Sequence, residues 1–201
     1  LFAAEERLKD HSLSYEELGS GLVGGGNDGG IDGFWTFANG DLVREDSDLS
    51  SLGRNVDLEL VIVQAKRSSG YSEDPINRLM AVTENLLDLS KELDEFQSRY
   101  NPELLAAVGI FRNIYRTLAT NFPTLRIRYI YATKGTEIHD NARAKARDLE
   151  AKIPALFSSA ETAFEFVGAA ELISLARLQP RRAFSLVLAD SPISARGAVA
   201  T

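Results

Sequence analysis

The chain changes its apolar–polar period several times along its length. Leu58 to Lys66 reads Leu-Glu-Leu-Val-Ile-Val-Gln-Ala-Lys, apolar through the middle. Such a run predicts a strand buried on both faces, central in a sheet. Ile31 to Ala38 is rich in β-branched and aromatic residues and is followed by Asn39-Gly40 and then Asp41 to Glu45. Asn-Gly between two extended runs predicts a hairpin. Leu125 to Thr133 alternates, with Arg126 and Arg128 set against Ile127 and Tyr129. It predicts a strand with both arginines on one face. Phe164–Val167 and Phe184–Ala189 predict two further short strands.

Helical spacing fills the intervals. Leu1 to Leu18 predicts a helix interrupted near His11–Ser14. Ser72 to Tyr100 carries Ile76, Leu79, Met80, Thr83, Leu86, Leu87, Leu93 and Phe96 at helical spacing. Asn101-Pro102 predicts the start of a second helix, running to about Asn121. Ile138–Lys152 and Ala169–Leu178 predict two more. The order is helix, three strands, helices, strand, helix, strand. It specifies an α/β class with a mixed sheet flanked by helices. The domain is expected to span residues 1–189, with the small, polar stretch 190–201 as a tail or linker toward a C-terminal region of a longer protein.

Composition narrows the chemistry. The 201 residues include no cysteine and only two histidines, His11 and His139. A disulfide framework, a thiolate zinc site and a multi-histidine metal site are thereby excluded. No apolar run reaches the about 18–20 residues of a membrane span. The N-terminus lacks the basic and apolar regions of a signal peptide. A cytoplasmic protein with no membrane partner is expected. The formal net charge is −7, which argues against bulk coating of nucleic acid. The charge is unevenly spread, however: residues 1–111 carry −12, residues 112–152 carry +5, and the remainder is neutral. The basic segment includes Arg126 and Arg128, candidates for phosphate contact, though solvated helix faces would look the same.

Eight of the 15 glycines lie between Gly19 and Gly33. A P-loop needs Lys-Ser/Thr opening a helix, and a dinucleotide fingerprint needs strand, glycines, then helix. Here the glycines lead into a strand and no lysine follows, so neither reading fits, and a connector using positive φ is the plainer one. Asp32 and Gln64-Ala65-Lys66 are the sharper candidates. Gln64 and Lys66 share a strand face, and Asp32 opens an earlier strand. A hard cation such as Mg²⁺ or Mn²⁺ takes oxygen ligands. Asp32 offers a carboxylate, Gln64 an amide oxygen and Ala65 its backbone carbonyl. Lys66 would steady charge on a phosphate. Taken alone, Gln-x-Lys at a strand end also describes polar residues reaching solvent.

Gly-Gly-Gly-Asn-Asp-Gly-Gly-Ile-Asp-Gly-Phe, followed about 30 residues on by Val-Ile-Val-Gln-Ala-Lys-Arg-Ser, resembles the Mrr-like branch of the PD-(D/E)xK nuclease superfamily. More narrowly it resembles the N-terminal nuclease region of abortive-infection phage-resistance (AIPR) proteins. The likeness is densest over residues 22–79, including Asn77-Arg78-Leu79. It implies a restriction-endonuclease-like αβββαβ core and a metal-dependent DNA endonuclease of restriction or phage defence. Asp32 and Gln64 would hold the metal, with Lys66 as the motif lysine. Relatives commonly add a glutamate from the first helix; Glu6, or Glu5, stands in that region. Arg67 and Ser68 would contact phosphate, and Asp28 is a turn residue close by. DNA is the expected partner, with RNA the alternative, and a homodimer would supply two sites for two strands. A rival expectation is a nuclease fold that binds nucleic acid without cutting it, or a regulatory module of a larger defence protein.

Overall fold

The computed structural model describes residues 1–50 and 52–178. Five strands form one open sheet in the order β2-β1-β3-β4-β5. They are β1 (Gly33–Ala38), β2 (Asp41–Leu42), β3 (Asp57–Ala65), β4 (Thr124–Ala132) and β5 (Glu161–Val167). β1 runs antiparallel to β2 and β3, whereas β3, β4 and β5 are parallel. The sheet is therefore mixed, and helices cover both faces. The predicted strand Phe184–Ala189 and the tail 190–201 lie outside the described residues.

β3 sits in the middle of the sheet, which explains its unbroken apolar run. Its even-numbered side chains, Leu58, Leu60 and Ile62, join one core with Phe34, Ile127, Tyr129 and Tyr131. α3 (Glu73–Val82), α4 (Pro102–Leu118) and α5 (Asp140–Glu150) contribute to this core. Its odd-numbered Val61 and Val63 join a second core with Trp35, Phe37, Ile130 and Ala132. That face is covered by α1 (Phe2–Arg7), α2 (Tyr15–Ser20) and α7 (Ala169–Arg177). A short α6 (Ile153–Leu156) leads into β5. The Asn39-Gly40 hairpin forms as predicted, with φ of 52° and 90° at its two central residues. Those values suit a turn whose twist matches the flanking strands.

Two predicted helices are broken. The first divides into α1, a 3-10 turn at Lys9–His11, and α2. Ser14 opens α2 with a reciprocal capping box, accepting from the Glu17 N–H while Glu17 accepts from its own. The predicted helix over Ser72–Tyr100 is α3 followed by a π turn at Thr83–Leu87, and it ends there. Asp88 accepts from the backbone N–H and hydroxyl of Ser90, a local turn that competes with helix. Arg112 and Arg116 of α4 then donate to the Leu89 carbonyl, holding the turn against that helix. Two of the basic residues in the positive segment are thereby used inside the fold.

Candidate functional site

The carboxyl ends of the parallel strands β3, β4 and β5 and the amino end of β1 lie along one edge of the sheet. Ligand sites of open α/β sheets fall at such edges. Asp32 stands there, just before β1. Gly33 pairs with Val63, so the antiparallel register carried back one residue sets Asp32 beside Gln64. Asp32 is held in place at three points. Its N–H donates to the Val63 carbonyl (2.9 Å), and its carbonyl accepts from Val23 (3.1 Å). Its Oδ2 accepts from the Ala65 N–H (2.7 Å). Partial burial raises the Asp32 carboxyl above its ordinary value, and the nearby Asp28 adds to the rise. The Ala65 N–H and the Lys66 ammonium oppose it.

Gln64 is fully buried, and neither amide atom has a hydrogen-bond partner. A Cβ placed on Gly30 would come within 2.9 Å of Gln64 Nε2 and 3.2 Å of Arg78 Cδ. Only a residue without a side chain fits between them, and at φ of 82° glycine is also the least strained choice. In the parallel register Gln64 lies beside Tyr131, whose buried hydroxyl is likewise without a partner. The Tyr71 ring meets Tyr131 edge-on, with centroids 5.2 Å apart. Polar atoms from two neighbouring strands are thus buried without partners on one face of the sheet, where natural interiors ordinarily pair them.

Lys66 continues the face of Gln64 and is exposed beyond the strand. Arg67 and Ser68 follow, also exposed. The Ser68 hydroxyl donates to the Gly70 carbonyl (2.9 Å), and the Ser68 carbonyl accepts from Lys134 (3.0 Å). Lys134, two residues beyond β4, is thus drawn to the same edge. Asp28 forms the expected turn, its Oδ1 accepting from the Gly30 N–H (2.7 Å). The glycine-rich segment is anchored rather than a free connector. The Asn101 side chain caps α4 by accepting from Leu104 and donates to the Gly24 carbonyl at 2.8 Å.

The structure brings Asp32, Gln64, Ala65 and Lys66 together and places the other candidates elsewhere. Glu6 is buried on α1 and ion-paired with Lys9; Glu5 is exposed. Arg126 and Arg128 alternate with the first-core residues of β4, so they lie on the opposite sheet face. Arg128 bonds Glu165 (2.8 Å) and Glu59 (3.3 Å). Arg126 reaches Glu161 at 3.4 Å. Since β5 lies outside β4, the arginines do not occupy a sheet edge. His139 caps α5, accepting from Asn141. His11 stacks on Phe37 at 3.7 Å and bonds Glu59 at 3.1 Å, so it is tied to the sheet rather than free on the surface. Trp35 and Phe37 are core residues.

Two residues of the site carry no motif of their own, Tyr131 and Arg78. Finding Tyr131 requires the register between β3 and β4, which local periodicity does not contain. Arg78 reads in the sequence only as part of a helix start. A separate cleft of about 320 Å³ between β1, β2 and α4 contains Arg44 and Glu103 and none of these residues.

Among the described residues no group of three or more His, Asp or Glu side chains could hold a metal. The donors at the strand edge are one carboxylate, one unpaired amide and a main-chain carbonyl. Mg²⁺ commonly uses one or two carboxylates and takes its remaining oxygens from water and phosphate. The unpaired Gln64 amide leaves an oxygen uncommitted, so these oxygen donors are of the kind a single Mg²⁺ or Mn²⁺ takes. Among the described residues no helix is long and apolar enough to cross a membrane. The chain matches no family model, no curated protein and no solved structure.

Proposed function

We propose that the chain is a metal-dependent DNA endonuclease with a restriction-endonuclease-like core, acting in restriction or phage defence. The observation that carries the reading is the adjacency of Asp32 to Gln64 and Lys66 at the carboxyl edge of a mixed sheet. The paired Gly-Ile-Asp-Gly and Gln-Ala-Lys motifs supply the nuclease class by resemblance. Asp32 and the Gln64 amide oxygen would hold the cation, with the Ala65 carbonyl beside them. When bound, a divalent ion offers Lewis-acid stabilisation to a phosphate and lowers the pKa of water. The chain's own residues do the rest. Lys66 places a fixed positive charge where negative charge grows on the phosphate, and its N–H groups orient the attacking water. Asp32 is held by the Ala65 N–H, so its geometry is set before substrate arrives.

Plasmid cleavage in Mg²⁺ or Mn²⁺ tests the reading. Asp32→Ala and Lys66→Ala should each abolish metal-dependent cleavage while circular dichroism shows the fold kept; full cleavage by both variants defeats it. DNA is the proposed substrate, with RNA the alternative, and a homodimer would bring two sites to two strands. The second reading is a module that binds nucleic acid without cutting, or regulates a C-terminal region of a longer protein. It is favoured by the complete burial of Gln64 and by Glu6 being committed to Lys9. DNA binding with no turnover in either metal would select it.

A further inference from the structure

Arg78 lies on α3, whose buried positions are Pro75, Ile76, Leu79 and Val82. It is exposed, and its stem lies with the Gln64 amide around the space a Gly30 side chain would fill, 3.2 Å and 2.9 Å from that Cβ position. A long cation whose aliphatic part is packed loses less freedom when its head binds. The guanidinium has no hydrogen-bond or ion-pair partner among the described residues. The arginines on the opposite face differ. Arg7 pairs with Glu165 and Glu171, and Arg128 with Glu59 and Glu165. Lys66, Arg67 and Lys134 at the strand edge are unpaired in the same way as Arg78. Arg54, Arg143, Arg147 and Arg177 are also unpaired among the described residues; Arg78 differs in packing its stem against Gly30, beside Gln64.

We propose that Arg78 binds a phosphate flanking the reacting one, so that the site takes a polynucleotide strand rather than an isolated phosphodiester. The proposal rests on the nuclease reading for placing a phosphate between Asp32 and Lys66. Arg78 reaches the site from α3 past Gly30, two residues before Asp32 in the chain. Its forked donors suit two oxygens of one phosphate.

The test is fluorescence anisotropy of a duplex of about 20 base pairs in Ca²⁺ across a range of KCl, because each phosphate contact contributes about −0.9 to the salt slope. Arg78→Ala should weaken binding by about 3–10-fold and make the slope shallower by about one. Arg78→Lys should restore the slope, since it restores the charge. Wild-type affinity and slope in Arg78→Ala overturn the proposal, and the nuclease reading survives if the wild type still cleaves. Weaker binding with an unchanged slope, or with a lowered melting midpoint, marks a structural role and also overturns it. A slope that depends on Arg78, in a protein that cleaves nothing in Mn²⁺, sinks the nuclease reading and upholds the contact. No binding by the wild type defeats both.

Discussion

Gln64 occupies a position where packing alone favours an apolar side chain. It is fully buried with both amide atoms unpaired, and each such group costs about 1–3 kcal/mol. Met has nearly the same shape without that cost. Gln64→Met should therefore raise stability by about 1–3 kcal/mol, seen as a higher denaturant midpoint at unchanged slope. Under the proposed function, the same variant should lose cleavage by about 100-fold or more. Asp32 is a milder case. Its folded pKa lies above the ordinary 3.8, with burial the largest cause. A raised acid opposes folding once ionised. The cost is full above the raised value and disappears as pH falls below the ordinary one. In EDTA at neutral pH, Asp32→Asn should melt roughly 1–3 °C higher than the wild type. That gap should close on acidification toward pH 3.8. A variant that melts lower at every pH would show that the Ala65 bond matters more than the burial cost.

The helices of the second face are tied to the sheet by a row of charges. It runs Glu171, Arg7, Glu165, Arg128, Glu59, His11, with alternating sign, linking α7 and α1 to β5, β4 and β3 and ending at the Lys9–His11 turn. Arg128 is its middle member, with a side chain 17% exposed; Arg126 is 60% exposed and bound to one carboxylate. Arg128→Ala leaves two part-buried carboxylates with one partner each, Arg7 for Glu165 and His11 for Glu59, and should cost about 1–3 kcal/mol, less than a fully buried pair because solvent reaches it. Arg126→Ala should change stability by less than about 1 kcal/mol. At the end of the row, burial tends to lower the His11 pKa, but the bonds to Glu59 and the Gly40 carbonyl outweigh it and raise it overall. Arg128 acts against them. The contribution of charged His11 is complete below about 6.5 and fades as pH rises through the raised value. His11→Gln should therefore lower the melting midpoint more at pH 6 than at pH 9. These links explain which elements the sequence made legible. The hairpin, the buried β3 and the α4 cap are written in adjacent residues. The end of α3 is only half written there: Asp88-Leu89-Ser90 is a local turn, but the Arg112 and Arg116 bonds that hold it against α4 come from another helix. Arg128 was legible as a face of β4 but not as a member of a charge row, since its partners come from two other strands.

On the scale of the whole molecule the two sheet faces divide the charges differently. Asp32 and Gln-x-Lys were legible because chemistry at strand ends leaves a local signature. The fate of the basic segment was not, because net charge says nothing about which cations are already paired. Residues 112–152 carry nine basic side chains. Of these, Arg112 and Arg116 bond carbonyls, and Arg126, Arg128, Lys145 and Lys152 face carboxylates. A patch read from the sequence thus shrinks to Lys134, Arg143 and Arg147, and of these Lys134 joins the unpaired Lys66, Arg67 and Arg78 around the strand edge that carries Asp32. The difference is measurable. Four phosphate contacts at the strand edge give a salt slope of about −3 to −4 for each bound protomer, whereas engagement of the whole basic segment gives about −8. Under the proposed function, anisotropy titration of duplex DNA in Ca²⁺ across a range of KCl should return the shallower value. Combining Arg126→Ala with Arg128→Ala should leave that slope unchanged, because both arginines lie on the far face. A slope near −8, or one that falls in the double variant, would move the nucleic-acid surface to the face covered by α1 and α7 and detach it from Asp32 and Lys66.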